Sequence, residues 1–224
     1  MATTAATSVV FTKTLPASSA TSIAASQSPG AGAILINGSA VVNGVAVLDV
    51  YNELTNSEPG INVIVTSGGN DSGITFTVTG TNSSGQTVSD TFAGAATGAA
   101  TSNISFVTVT SVTHTGSVAG TVTVGTTSSG ASRWITWDYL GDSPFNLAFF
   151  VQVSGTVSYT VQYTLDDPNN LSPGLDYPVP IDTTVANKTD NQNSAITTPI
   201  IATRVVINSG SGMIRARFIQ AGIG

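Results

Sequence analysis

Residues 156–165 read Thr-Val-Ser-Tyr-Thr-Val-Gln-Tyr-Thr-Leu, and they alternate strictly between hydroxyl or amide side chains and apolar or aromatic ones. Residues 74–79, Ile-Thr-Phe-Thr-Val-Thr, repeat this alternation in the first half of the chain. Successive side chains of a β-strand point to opposite faces, so each stretch predicts a strand with one core face and one hydroxyl-covered face. This period of two recurs along the chain without a helical period of useful length, which predicts an all-β protein.

The composition favours the same class. The chain is rich in Thr, Ser, Gly, Ala and Val, and both Thr and Val pack well on a pleated surface. Its 23 glycines and 9 prolines supply turn residues between short strands. Charged residues make up 8% of the 224 residues, against roughly 25% in an ordinary soluble domain. We therefore expect a surface that interacts through hydroxyl groups and backbone.

Turn-rich segments divide the chain into four parts. Residues 1–33 are low in complexity and predict an extended N-terminal arm. Residues 34–125 and 133–224 each contain short strands at the spacing of an antiparallel β-sandwich or jelly-roll-like unit, and residues 126–132 are typical of a linker. Within the second unit, the Pro-rich and Asn-rich residues 166–199 predict a long projecting loop.

The predicted arm has two interpretations. Its few substantial apolar groups include Val9, Val10, Phe11 and Ile23, and they are too few to fold alone. It is either a disordered tail or a strand that adds main-chain hydrogen bonds to an exposed sheet edge of a neighbouring subunit. On the second interpretation, Val9, Val10 and Phe11 are interface residues.

Turn residues predict two hairpins. Asn37-Gly38 lies between two apolar runs and is typical of a two-residue turn. The turn Ser209-Gly-Ser-Gly separates the last two strands, and pairing across it places Arg204 opposite Arg217 with Arg215 on the same face. Like charges directly across a strand pair destabilise it. We therefore expect these three arginines to meet carboxylates, either from a nearby acidic loop of the same chain or from a partner, which makes them candidate interface residues.

The sequence contains no recognisable catalytic constellation. The only imidazole is His114, at a predicted strand end, and we interpret it as a surface or turn residue because catalysis needs several cooperating groups. The adjacent Asp166 and Asp167 precede a Pro-Asn-Asn turn, whereas a glycosidase needs two carboxylates across a cleft. Together with Asp176 and Asp182 they offer oxygen ligands that suit calcium, but without the ordered spacing of a calcium loop. The sequence therefore predicts a protein that is not an enzyme and has no cofactor.

Charge and hydropathy exclude further classes. A formal net charge of −6 and a pI near 4.3 argue against a general nucleic-acid binder, which needs a basic footprint. No apolar run approaches about 18 residues, so no membrane-spanning helix is predicted, and the first residues lack the pattern of a signal peptide. The absence of cysteine excludes a disulfide framework and favours folding in a cytoplasm.

Trp134–Tyr139 reads Trp-Ile-Thr-Trp-Asp-Tyr, and with residues 151–168 and 204–220 it resembles small virion structural proteins of tailed bacteriophages. The resemblance covers about residues 134–224, and residues 61–80 have a residue pattern similar to that of the same proteins. It implies a particle component, assembled in the host cytoplasm, without functional residues to carry over. Among such components, a small acidic protein with an N-terminal arm is most similar to a head decoration or cement protein. That type binds across neighbouring major capsid protein subunits, as a dimer or trimer with cyclic symmetry.

Two alternatives remain open. A tail, neck or fibre-associated protein of the virion would share the fold and composition but occur in few copies. A carbohydrate-binding or adhesive module belongs to a different class, and Trp134, Trp137, Tyr139 and Tyr177 are candidates to stack on sugar rings. The competing expectation is that these rings pack in the core, where aromatic side chains contribute most. An exposed cluster of two or more of them would favour the sugar-binding alternative.

Overall fold

The computed structural model describes residues 7–14, 17–48, 60–140, 144–170 and 177–220, and for residues 7–14 it describes the backbone alone. Within these residues the chain forms antiparallel β-sheets in a sandwich-like arrangement without any helix, which confirms the all-β prediction. It follows that no helix in the described part of the chain could cross a membrane.

The chain divides into two compact units. The N-terminal unit is Pro16–Ala131, and the C-terminal unit combines Ser132–Gly224 with Met1–Leu15. The first strand, β1 (Thr7–Thr14), therefore belongs to the unit that is formed mainly by the end of the chain.

The N-terminal unit contains two sheets. Its strands are β2 (Ser19–Gln27), β3 (Gly32–Ile34), β4 (Val41–Val42), β5 (Val45–Val47), β6 (Gly60–Ser67), β7 (Thr75–Thr81), β8 (Thr87–Ala93), β9 (Gly98–Phe106), β10 (Thr108–His114) and β11 (Val122–Ala131). One sheet has the order β4-β5-β10-β7-β8, with β3 also paired to β10. In the other, β6 lies between β9 and β11, and β2 pairs with β11.

Strand β7 shows the predicted alternation. Phe76 and Val78 are fully buried, whereas Thr77 and Thr79 are half-buried on the opposite face. The hydroxyl groups of Thr79 and Ser89 lie 2.8 Å apart across the β7–β8 pair. Cross-strand hydroxyl contacts of this kind stabilise a sheet on its solvent side. The threonines of this strand therefore serve pairing, while its apolar residues form the core.

The two-residue hairpin turn forms at Asn43-Gly44, so its prediction at Asn37-Gly38 is wrong. Asn43 and Gly44 have φ angles of 51° and 81°, which suit the turn between β4 and β5. Gly38 instead donates its backbone N–H to the carbonyl oxygen of Ile23 at 2.9 Å, which places it against β2. Both Asn-Gly pairs carry the same local signal, and the strands that flank each pair decide which one closes a hairpin.

The predicted arm and linker differ from the structure. Residues 17–33 do not form a free arm, because β2 pairs with β11 and buries Ile23 and Ala24 completely. Strand β11 continues to Ala131, so most of the predicted linker at 126–132 is strand. A low-complexity segment with two well-placed apolar residues is enough to add a strand when the rest of the sheet supplies the core.

The C-terminal unit also contains two sheets. Its further strands are β12 (Ile135–Thr136), β13 (Leu147–Ser154), β14 (Val157–Thr164), β15 (Ile181–Asp182), β16 (Gln192–Ile196), β17 (Ala202–Gly210) and β18 (Met213–Gln220). One sheet has the order β1-β18-β13-β16. In the other, β14 lies between β15 and β17, and β12 pairs with β17.

Trp137 connects these two sheets. Its ring centroid lies 6.0 Å from that of Phe218 on β18. Its indole N–H donates to the hydroxyl of Thr203 on β17, with a donor–acceptor distance of 2.9 Å. The ring thus fills the space between the sheets and satisfies its polar atom there. This contact identifies the interior of the sandwich.

The last two strands do not form the predicted hairpin. Strand β17 pairs with β14 and β18 pairs with β13, so Arg204 lies opposite Gln162 and Arg217 lies opposite Phe150. The chain crosses from one sheet to the other between β17 and β18. Each of these strands has one buried side. Because the two strands lie in different sheets, they cover the same core from opposite sides. The prediction that three arginines share one hairpin face is therefore wrong.

The predicted projecting loop at 166–199 packs against the sandwich over much of its described length. Strand β15 pairs with β14, and β16 pairs with β13. Between them, Val185 is buried, and the hydroxyl of Tyr159 donates to the carbonyl oxygen of Asp190 at 2.9 Å. A polar composition suggests a loop, but hydrogen bonds from the sheet hold this segment in place.

Tyr159 gives a prediction for alkaline pH. Burial, assisted by Asp190, raises the pKa of its phenol to about 12. An unfolded tyrosine ionises near pH 10, so stability falls with rising pH between about 10 and 12 as the unfolded chain loses a proton that the folded chain keeps. We expect the Tyr159→Phe variant to lose about 1 kcal/mol at neutral pH through the missing hydrogen bond. Its urea midpoint should then fall less than that of the wild type above about pH 10. If the urea midpoints of the two proteins fell equally with pH above about 10, the raised pKa would not belong to Tyr159.

Candidate interaction surface

One face of the sheet β1-β18-β13-β16 is exposed and combines apolar side chains with arginines. Strand β18 alternates between buried and exposed residues along its whole length, and β13 does so over its first six. We call the exposed side the β13/β18 face. Its members are Ala148, Phe150, Gln152, Met213, Arg215, Arg217 and Ile219.

Two large apolar members of this face, Phe150 and Ile219, lie close together, whereas Met213 lies at the other end of β18. Phe150 is 40% exposed, Met213 42% and Ile219 46%. Phe150 pairs with Arg217, and the neighbouring outward-facing pair joins Ala148 to Ile219. Side chains directly across a strand pair have Cβ atoms about 5 Å apart, so these groups are neighbours. Single exposed apolar residues are ordinary, but Ala148, Phe150 and Ile219 are contiguous on one sheet face and form a patch that suits a partner.

The residues of this sheet carry a net positive charge, whereas the chain as a whole is negative. The chain carries 12 acidic and 6 basic residues, yet the four strands contain Lys13, Arg215 and Arg217 and neither Asp nor Glu. Among the described side chains, no carboxylate accepts a hydrogen bond from Arg215 or Arg217. The β13/β18 face is therefore a cationic and apolar area on an acidic protein.

Arg204 lies in the other sheet of the unit and has partners within the chain. Its Nε donates to Oε1 of Gln162 at 2.9 Å, and its guanidinium lies 4.5 Å from the centre of the Trp134 ring. Gln162 in turn donates to Asp182 at 2.7 Å. Burial lowers the pKa of Arg204 to about 10, although Asp182 opposes the shift. The sequence left open whether Arg204 meets groups of its own chain or of a partner protein, and the structure favours its own chain.

The apolar residues of the predicted arm lie in β1. This strand pairs with β18 along all eight of its residues. Val10 pairs with Arg217, whereas Val9 and Phe11 pair with the buried residues Phe218 and Ala216. The sheet edge that β1 covers belongs to the same chain here, whereas the second interpretation of the arm places it on the edge of a neighbouring subunit.

His114 is a core residue, so its prediction as a surface or turn residue is wrong. The side chain is buried, and its Nδ1–H donates to the carbonyl oxygen of Gly116 at 2.6 Å. The ring centroid lies 5.8 Å from that of Phe76. His114 pairs with both β3 and β7 at the end of β10, so neighbouring strands cover it on two sides.

The acidic residues that the sequence offers as calcium ligands act separately. Asp166 accepts the backbone N–H of Val179 at 2.7 Å, and Asp167 accepts that of Asn169 at 2.9 Å. Asp176 lies outside the described residues. Where the structure describes the chain, it holds no group of three or more His, Cys, Asp or Glu side chains that could bind a metal ion.

The four aromatic residues proposed for sugar stacking have different surroundings. Trp137 is buried between the sheets, and Trp134 is half-buried and stacks on Arg204. Tyr139 and Tyr177 expose their rings. The core expectation holds for Trp137, which is therefore not available to a sugar.

Sequence reasoning missed the apolar half of the β13/β18 face. Phe149 and Phe150 are adjacent in an apolar stretch, so on a strand they must point to opposite faces. The same holds for Phe218 and Ile219. Large apolar residues at successive positions of a strand are the signal that could have indicated an exposed apolar face.

No protein-family model matches the chain, and neither a curated protein nor a solved structure matches it. The chemistry of the chain's own surface is therefore what points to a function.

Proposed function

We propose that this protein is a non-enzymatic structural component of a tailed-bacteriophage particle, of the head decoration or cement type. It binds across neighbouring major capsid protein subunits and adds stability to the shell. The observation that carries the proposal is the β13/β18 face, where two arginines and three apolar side chains are exposed on a chain of net charge −6. The low content of charged residues elsewhere also supports this proposal, because such a surface binds other proteins through hydroxyl groups and backbone.

The chemistry of this face specifies the partner surface. Arginine binds carboxylates through two parallel hydrogen bonds, and Phe, Met and Arg are enriched at protein interfaces. The matching surface on the shell is therefore apolar opposite Phe150 and Ile219 and carries carboxylates opposite Arg215 and Arg217. Each contact of this size is modest, but many copies on one lattice bind with strong avidity.

The double variant Arg215→Gln/Arg217→Gln tests the role of the face. Both side chains are exposed, so we expect a stability within about 0.5 kcal/mol per substitution of the wild type. We expect binding to particles that have been stripped of the protein to weaken by about tenfold or more, because two charge-assisted contacts are lost. Co-sedimentation with the particles measures the affinity.

A matched control separates local contacts from net charge. The double variant Gln86→Glu/Thr87→Glu changes two exposed residues at the start of β8 and lowers the net charge by the same amount. It should bind as the wild type does. If the arginine variant also binds normally, the β13/β18 face is not the contact surface.

The number of copies per particle distinguishes the decoration protein from its runner-up. A shell component occupies each capsomer, so we expect on the order of hundreds of copies. A tail, neck or fibre-associated protein would occur about a dozen times or fewer at one vertex. Quantitative mass spectrometry of purified particles gives this number directly.

A further inference from the structure

We propose that β1 is exchanged between copies of this chain, so that Thr7–Thr14 of one copy pairs with β18 of a second copy in the register seen within a single chain. The partner surface is the outer edge of β18. The proposal extends the suggested role in assembly, but it concerns the purified protein alone and is tested without a particle.

The path of the chain makes β1 suitable for exchange. Strand β1 joins the C-terminal unit, yet the next strand, β2, pairs with β11 in the N-terminal unit. Only residues 15–18 separate these two strands. In the described structure β18 is the one strand that pairs with β1. An element that is docked on a distant part of the chain through a single strand pair is the kind of element that identical copies exchange.

The edge of β18 has the properties of an acceptor. Strand β13 occupies one side of β18, and β1 occupies the other. Without β1, eight residues of β18 would present unpaired main-chain groups, which form a template for an added strand. The strict alternation of β18 sets the register, because a slip of one residue would exchange the core-facing and outward-facing positions of the incoming strand.

The same pairs of residues form in either arrangement. The choice between them therefore depends on which β18 edge lies within reach of β1 and at what effective concentration. Copies that are held side by side in an oligomer or on a lattice raise that concentration for the exchanged arrangement. Exchange would then link neighbouring copies through the backbone, in addition to contacts made by side chains.

The absence of cysteine in the chain allows a direct test by disulfide trapping. Thr12 pairs with Arg215, so cysteines at these two positions lie within disulfide reach only when β1 and β18 are paired. A Thr12→Cys chain and an Arg215→Cys chain are unfolded, mixed, refolded together and oxidised. The matched control replaces Arg215→Cys by Ile219→Cys, which lies four residues out of register and pairs with Ser8 instead.

Exchange predicts a disulfide-linked dimer of the two different chains, because only the register pair is within reach. Its yield should be at least about tenfold higher than the yield of any linked dimer in the control mixture or in a sample of either variant alone. The doubly substituted chain Thr12→Cys/Arg215→Cys should then give linked dimers or larger species. Linkage within single monomers only, or no linkage in any combination, would overturn the proposal. Exchange without particle binding would count against the proposed function alone.

Discussion

Replacing Phe218 by alanine should lower the free energy of unfolding of the C-terminal unit by about 3–5 kcal/mol, because it empties a fully buried aromatic site. The Phe218 ring lies 6.0 Å from Trp137 and 5.7 Å from Phe149, measured between centroids. These neighbours belong to a packed interior that relaxes only in part around a cavity. Urea unfolding followed by tryptophan fluorescence measures the loss, and both tryptophans lie in this unit.

Phe150 provides the matched control for this prediction. It is one residue from Phe149, the cross-strand partner of Phe218, but it points to the opposite face and is 40% exposed. Phe150→Ala should lower the stability by less than about 1 kcal/mol, and it should weaken binding to stripped particles. Equal losses of stability at both positions would show that the sheet is not oriented as described.

The Asp90→Ala variant should destabilise the N-terminal unit by about 2–3 kcal/mol, because removal of this buried charged acceptor leaves its hydrogen-bond donors unpaired. Oδ2 of Asp90 accepts the backbone N–H of Asn103 at 2.5 Å and that of Ile104 at 3.4 Å. Asp90 lies on β8 and both donors lie on β9, which belongs to the other sheet of the unit. The carboxylate thus ties the two sheets together.

Two further variants define what the carboxylate contributes. Asp90→Asn keeps one acceptor oxygen and should cost about 1 kcal/mol, because it loses the charge but not the shape. Ser89→Ala changes the exposed neighbour on the same strand and should cost about 0.5 kcal/mol or less. Far-UV circular dichroism against urea measures all three. If Asp90→Ala were as mild as Ser89→Ala, the link between the sheets would have no role in stability.

The alternation along single strands could be predicted from the sequence alone. In β14, Val157, Tyr159 and Val161 are buried as the period of two indicates. In β7, Phe76 and Val78 follow the same rule. This works because the direction of a side chain on a strand is a local property of the backbone. The class of the fold follows from the same rule.

The candidate interaction surface could be predicted only in part. The sequence singles out Arg215 and Arg217, because three cations near one another need partners. It attributes their proximity to a hairpin with Arg204, which the structure does not contain. Alternation places two residues on one face of their own strand, but it does not tell which strand lies beside them.

The amino-acid sequence alone establishes that this chain forms strands, which residues of those strands share a face, and that few charges cover the protein. The folded structure is needed to show which strands pair, that β1 returns to the edge of β18, and that Phe150 and Ile219 are exposed while Phe218 is buried. Strand pairing joins residues that are far apart in the chain, and its outcome depends on how all apolar faces can be buried at once. Local pattern specifies the faces, and global packing selects the neighbours.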